Sequence, residues 1–457
     1  MSFPRYPEYK DSGVEWLGEV PGHWQVVRLS TTATCNDEVL LESTDEDYEI
    51  EYVEISGVQA GQGITETATL PFGNAPSRAR RVVRDGDVLI STVRTYLRAI
   101  AHVKSPPDNM IASTGFAVLR PRRIDSRFLG YACHAEGFVS EVIARSVGVS
   151  YPAINASELA RLPIPLPTAP EQTAIARFLD RETAKIDALV AEQEKLIALL
   201  QEKRQAVISH AVTKGLDPNV PMKDSGVEWL GEVPGHWEVR RVRNLSSFLT
   251  SGPRGWSERI SEIGAKFIQS GDLTDDLSIA FDEAKRVAVD ADAEAARTKL
   301  ENGDVVVCIT GAKTGNVAVC ATVPEDAYVN QHLCLIRPRP EILPEILAVY
   351  LKSDAGQRYF AVAQYGLKQG MSLENIKDAT VPVPPLQEQR KILEVAQRVT
   401  KNIGALVLEA RTAITLLQER RTALISAAVT GQIDVRGLAG SSNAPDSIAV
   451  SAYPASA

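Results

Sequence analysis

Two kinds of apolar spacing run through this chain and then run through it again. Short runs such as "GDVLIST" (Gly86 to Thr92) and "GFAVLRPR" (from Gly115), bounded by Gly, Pro, Asn and Asp, predict β-strands, and "SRFLGYACHAEGFVSEVIARS" from Ser126 predicts helix between strands. From Ile175 the spacing changes to alternating fours and threes. Ile175, Leu179, Glu182, Ile186, Leu189, Gln193, Leu196, Leu200, Lys203 and Val207 form a seam with seven of ten positions apolar. Such a seam predicts a long coiled-coil helix. A second seam runs through Ile392, Ala396, Val399, Ile403, Leu406, Ala410, Ala413, Leu417, Arg420 and Leu424, nine of ten apolar.

The second seam is the first displaced by 217 residues, and the same shift aligns much more. It lays "GDVLIST" over "GDVVVCIT" from Gly303, and "VLRPR" (Val118 to Arg122) over "LIRPR" (Leu335 to Arg339). It also lays "EQTAIARFL" from Glu171 over "EQRKILEVA" from Glu388, and "EKRQAVISHAVT" from Glu202 over "ERRTALISAAVT" from Glu419. The fifteen letters "KDSGVEWLGEVPGHW" at residues 10 to 24 return unchanged at 223 to 237, an offset of 213, so the second copy gains four residues before Gly303. The chain is one unit written twice, with matching joints and diverged middles.

This divides the chain into an N-terminal strap (1–24), a mixed α/β head (25–162), and a Pro-rich exit with the first long helix (163–215). A linker with the repeated strap (216–237), a second head (238–379) and a second exit with helix (380–431) follow. Residues 432–457, rich in Gly, Ala, Ser and Pro, form a tail too poor in apolar residues to fold. The fold class is α+β. A helix of about 40 residues spans roughly 60 Å. Its simplest partner is the other helix of the same chain in an antiparallel pair, with a second chain as the alternative.

Composition changes this picture little. Forty-four per cent of the 457 residues are apolar, no run approaches the roughly 18 residues of a membrane span, and no signal peptide is visible, so a cytoplasmic protein is expected. The five cysteines (Cys35, Cys133, Cys308, Cys320, Cys334) include no CxxC and read as buried small hydrophobes. Charge is more informative than its net value of −9. Between Leu29 and Ser77 there is no Lys or Arg, while nine acids crowd residues 37 to 54. Arg78, Arg80, Arg81, Arg84, Arg94, Arg98 and Lys104 then follow against only Asp85 and Asp87. Either this run meets a polyanion or its balancing charge lies elsewhere in the head.

Catalytic signatures are weak. "SPPD" at Ser105 to Asp108 has Asp108 where an amino-methyltransferase loop needs a stacking aromatic. "GAKTGN" at Gly311 to Asn316 lacks the Gly-Lys-Ser/Thr ending of a phosphate loop. A nuclease or methyltransferase in its own right is therefore the rival reading. His23 and His236 have no nucleophile or carboxylate at a telling spacing, and the strap tryptophans Trp16, Trp24, Trp229 and Trp237 read as packing residues.

The duplicated order of "KDSGVEWLGEVPGHW", a variable mixed domain, a Pro-rich exit leading into "EQ", and a helix ending "ISxAVT" closely resembles the specificity subunit of type I restriction-modification systems, over residues 6 to about 436. The resemblance implies a non-catalytic, phage-defence role in which each head is a target-recognition domain for half of a split double-stranded DNA sequence. It implies that the paired helices fix the gap and dock modification (methyltransferase) subunits, two in number, with restriction subunits beyond them. S-adenosylmethionine, ATP and Mg would then belong to those partners, and no metal or cofactor to this chain.

Base edges are read by hydrogen-bonding and cationic side chains on loops. In the first head the candidates are Arg78, Arg80 and Arg81 before a strand, Arg94, Thr95, Tyr96 and Arg98 after one, and Ser150 and Tyr151. In the second they are Thr250, Ser251, Arg254 and Trp256 in "TSGPRGW", Lys313 and Thr314 in "GAKTGN", and Lys368 and Gln369 in "YGLKQG". Each is an exposed turn residue on the plainer reading.

Overall fold

A computed structural model describes residues 3–364 and 370–438. The chain forms two compact units, Met1–Gln193 with Thr412–Ala457, and Glu194–Arg411. Each unit therefore holds one head, the start of the long helix that follows it, and the end of the long helix from the other copy.

In the first unit the head is built on two four-stranded sheets. One runs Ile100–His102, Val88–Ser91, Phe116–Pro121, Ala33–Cys35, all antiparallel, with Val88 opposite Leu119. "GDVLIST" supplies its fully buried strand Val88–Ser91. The other runs Ala68–Pro71, Glu49–Val53, Met110–Ser113, Ala79–Val82, with its central pair parallel. The second unit repeats both: Ser246–Ser251, Leu333–Pro338, Val305–Cys308, Val317–Val319, then Ile260–Ser261, Lys285–Val287, Ala265–Ile268, Ala327–Val329. Here too the second sheet contains one parallel pair.

The Pro-rich exits, grouped by sequence with the long helices, are strands of the heads. Pro163–Leu166 pairs antiparallel with Gln25–Arg28, and Thr380–Val383 with Glu238–Arg241. A two-stranded edge tolerates proline because each strand has one unpaired side. The helical stretch from Ser126 is two helices, Ser126–His134 and Glu136–Ala144, broken at the extended residue Ala135. The break frees the Glu136 amide, which donates to Ser426 Oγ at 3.0 Å from the end of the second long helix.

The long helices span Ala169–Lys214 and Leu386–Val429. In the first unit Asp187 and Arg421 pair at 3.0 Å, and Ile175, Phe178 and Leu179 share a core with Leu424, Ile425, Ala428 and Val429. Numbers fall on one helix as they rise on the other, so the two run antiparallel there. Most of the predicted seam faces inward, with Ile175, Leu179, Ile186, Ile392, Ala396, Ile403, Ala410 and Leu424 buried, and it slips at three leucines. Leu189, Leu196 and Leu406 are exposed, whereas Val190, Ile197 and Val407, one position on, are half-buried. Residues 432–438, expected in an unfolded tail, pack onto the first unit: Val435 is fully buried and Asp434 N donates to Pro4 O at 2.7 Å. The remainder of that expectation lies outside the described residues. Cys133, Cys308, Cys320 and Cys334 are buried and Cys35 is half-buried. Burial pushes the Cys320 thiol up to about 12.

Candidate nucleic-acid interface

Beneath the loops, each head carries the same three polar joints. The first is a clasp on the strap. Glu171, at the start of the first long helix, accepts from His23 Nε2 at 2.8 Å and Trp24 Nε1 at 3.4 Å. Glu388, at the start of the second, accepts from His236 Nε2 at 2.8 Å and Trp237 Nε1 at 3.1 Å. The histidines do have carboxylate partners, 148 and 152 residues away. The second joint is the neighbouring glutamine. Gln172 accepts from Asp125 N and donates to Pro167 O, both at 2.8 Å, and Gln389 accepts from Leu343 N and donates to Pro384 O, both at 2.8 Å. The third is a bidentate pair inside the sheet: Arg120 on Asp87 at 3.0 and 2.9 Å, Arg337 on Asp304 at 2.9 and 3.0 Å. Both aspartates are fully buried, so the forked guanidinium is what makes their charge tolerable. The carboxylates, glutamines and arginines of these joints were not sequence candidates, although the repeated "EQ", "GDV" and "RPR" contain them.

On that frame the first head gathers five predicted residues. Arg94 and Arg98, both left-handed at φ 52° and 55°, bracket a single 3-10 turn, Thr95–Leu97. Thr95 Oγ1 lies 2.7 Å from Ser146 Oγ, Arg94 N donates to Pro152 O at 2.8 Å, and the Arg94 guanidinium sits 4.6 Å over the Tyr151 ring. Turn and loop thus form one rim holding Arg94, Thr95, Tyr96, Ser150 and Tyr151. Thr95 is buried and ties the two parts together, so its role is positional.

The other predicted residues divide. Arg98 makes a bidentate pair with Glu136 at 2.6 and 2.7 Å, which raises the arginine and holds Glu136 below the usual carboxylate range. Arg78 pairs with Glu54, and Arg84 with Glu38 at 3.0 Å. The acidic segment 37–54 therefore supplies carboxylates to the basic run, and its charge is partly balanced within the head. Arg80 stacks on Phe72 at 4.7 Å, and Arg81 buries an unpartnered Nε.

In the second head Arg254 is exposed and makes no ion pair among the described residues. Ser251 is half-buried at a strand end. Thr250 is buried and accepts from Arg297 at 2.7 Å. Trp256, expected at the DNA, is a core residue, 1% exposed and packed on Phe267 and Tyr328. Burying an indole that large outweighs its place in a Gly-rich loop. Lys313 Nζ donates to Gly271 O at 3.1 Å and Thr314 Oγ1 to Gly311 O at 2.6 Å, so both brace their loop. Lys368 and Gln369 lie outside the described residues.

A family model described as the type I restriction modification DNA specificity domain matches twice, over residues 21–198 and 234–409. Among curated proteins, the chain is 24% identical over 322 residues to the type I restriction enzyme EcoBI specificity subunit of Escherichia coli, covering 68% of this chain and 66% of that one. It is 22% identical over 438 residues to the EcoKI specificity subunit of Escherichia coli strain K12, covering 91% and 90%. A solved chain from work on assembly and conformational transition of the type I R-M system superposes with TM-score 0.63 at 24% identity, covering 90% of this chain and 98% of that one.

Proposed function

Because this chain belongs to the type I restriction modification DNA specificity family and carries its domain twice, we propose that it is the non-catalytic reading subunit of a restriction-modification complex. Each head reads one half of a split double-stranded target. The long helices set the gap between the halves and dock two methyltransferase subunits, one for each copy of the framework. Restriction subunits join that core in the cytoplasm, and S-adenosylmethionine, ATP and Mg are bound by the partners.

The observation that carries this reading is the contrast between frame and rim. The clasp, the glutamine joint and the buried Asp–Arg pair recur with the same atoms in both heads. The rims differ in kind: an arginine stacked on tyrosine in the first, an exposed Arg254 and a separate lysine-braced loop in the second. A catalytic pair of domains would repeat its reacting groups, whereas a pair of readers repeats its scaffold and varies what faces the bases.

The test is methyl transfer from labelled S-adenosylmethionine to DNA. Purified chain alone should transfer nothing, and adding the methyltransferase subunits should produce sequence-specific methylation. Transfer by the chain alone would overturn the non-catalytic assignment.

A further inference from the structure

The first head exposes apolar side chains where a soluble surface has little reason to hold them. Val149 is fully exposed and Val147 is 79% exposed, the two most exposed large apolar residues described in this unit. Tyr151 at 60% is in the same loop, and Tyr96 at 51% and Leu97 at 46% are in the turn bonded to it. A contiguous apolar patch of this kind marks a surface that is covered in use.

Nor is the loop a floppy tip. Ala153 bridges to both Val147 and Val93, Ser146 is bonded to Thr95, and Arg94 clamps Tyr151. Gly148, at φ 121°, makes the bend that turns the valines outward, and a Cβ there would press on the Tyr151 carbonyl at 3.1 Å. The Arg94 guanidinium makes no ion pair among the described residues, so cationic and apolar groups share one rim.

We propose that the loop Val147–Tyr151 reads thymine through its 5-methyl group in the major groove of the first half-site. This rests on the DNA-reading function above. A partner with a polyanionic backbone suits the free Arg94, and an intact duplex offers only one apolar group along its major-groove edges, the thymine methyl. Valine is short and stiff at χ1, so it presents two methyls at fixed positions and cannot reach between stacked bases. Tyr151, held by Arg94, walls the side of that contact, while Arg94 keeps N–H groups for a phosphate.

The experiment uses the full chain assembled with its methyltransferase subunits, and duplexes carrying the motif found by methylome sequencing. Each thymine of both half-sites, on either strand, is replaced singly by deoxyuridine, which removes only the methyl. One or two replacements in one half-site should weaken wild-type binding roughly fourfold each, the worth of burying one methyl group. The double variant Val147→Ala, Val149→Ala should bind the normal duplex more weakly and lose its sensitivity at those positions alone. Both side chains are exposed, so the variant should fold and assemble as wild type does. Specific binding with no sensitive thymine, or a variant that keeps the full sensitivity, overturns the proposal and leaves the reading function standing. A variant that assembles poorly but binds DNA normally once assembled would assign the loop to a protein contact and overturn it as well. Failure of the wild-type complex to prefer its motif would overturn both.

Discussion

The same glutamate-to-glutamine change, made once in each copy, should have unequal effects, and the structure gives the size of the difference. Glu171 Oε1 accepts from His23 and Trp24, and Oε2 from Thr168 N at 3.2 Å and Thr168 Oγ1 at 2.7 Å. Its side chain is 7% exposed, and Arg436 approaches within 3.9 Å. Whichever way the amide of a glutamine turned, its NH2 would face a buried donor, the Thr168 amide or the Trp24 indole. Glu171→Gln therefore loses a bond to a charged acceptor and strands a polar group, about 1.5 to 3 kcal/mol. Glu388 is 25% exposed and takes both strap bonds on Oε2. A glutamine there can keep its carbonyl on His236 and Trp237, so Glu388→Gln should cost only about 0.5 to 1 kcal/mol.

Scanning calorimetry at neutral pH should show the transition lowered by roughly 3 to 12 °C for Glu171→Gln and by less than about 4 °C for Glu388→Gln, for units of this size. The pH dependence adds a second readout. Burial opposes ionisation of Glu171, but the hydrogen bonds from His23 and Thr168 outweigh it and hold the carboxyl below its ordinary 4.5. A depressed folded value means the stabilisation is complete above the unfolded value and fades as pH falls through the folded one. Wild type should accordingly lose stability below about pH 4.5 more steeply than Glu171→Gln. Equal shifts for the two variants, or the larger shift at Glu388, would refute the reasoning.

Gly431→Ala should cost about 2 to 5 kcal/mol in urea unfolding, since a Cβ there adds left-handed strain at φ 77° to a collision with Pro21, whereas Gly226→Ala at φ 71°, with open space, should cost about 1 to 2. Arg337→Met should cost about 3 to 5 kcal/mol by leaving the buried Asp304 without its cation, and Arg337→Met with Asp304→Ala should recover much of it in a double-mutant cycle. Arg94→Ala should flatten the salt dependence of DNA binding by the assembled complex by about one unit, and Arg98→Ala, already paired with Glu136, should leave the slope unchanged. Removing seven residues, about two turns, from each long helix in register should shorten the gap in the methylated motif, and an unchanged gap would refute the helices as a ruler.

The repeat was legible because its framework is written in contiguous blocks, and the offset of 217 carries Asp87 to Asp304 and Arg120 to Arg337. That Asp87 holds Arg120 was not legible, because the contact exists only once Val88 lies opposite Leu119 in the sheet. The basic run shows the same limit more sharply. Its sign flip is plain in the sequence, yet the carboxylates that answer Arg78, Arg84 and Arg98 come from Glu54, Glu38 and Glu136, between 24 and 46 residues away. Linear charge counting cannot pair residues that a fold brings together. Three seam leucines were misplaced for another reason. Leu189 and Val190, Leu196 and Ile197, Leu406 and Val407 are adjacent apolar residues, so composition allows either phase and only packing selects the second of each pair. Trp256 was misplaced because Gly-rich sequence marks a turn without saying whether its aromatic points in or out.

The strap is invariant between copies because of what it must fit. In the first unit it lies between Glu171, which opens one long helix, and Gly431, which ends the other and whose Cβ position is 3.2 Å from the Trp24 ring. In the second unit it lies between Glu388 and Gly215, whose Cβ position is 3.4 Å from the Trp237 ring. Helix starts and helix ends are both repeated, so a strap that fits one pair fits the other, and drift in either copy would loosen its own unit. Two polar bonds to this frame recur in each head, Gln172 to Asp125 and Ser426 to Glu136 in the first, Gln389 to Leu343 and Ser209 to Asp354 in the second, and the first head adds Arg127 and Tyr131 side chains on Asp180. In the four recurring bonds every head-side partner is a backbone amide and every frame-side one a glutamine or serine side chain. An exchange of residues 25–162 with 238–379 would remake these four bonds with the same glutamine or serine on the frame and a main-chain N–H on the head, and would lose the Arg127 and Tyr131 bonds to Asp180, whose places are taken by Pro344 and Ala348. The rim loops are thereby free to diverge, and reading a new half-site need not disturb the joint that holds the reader.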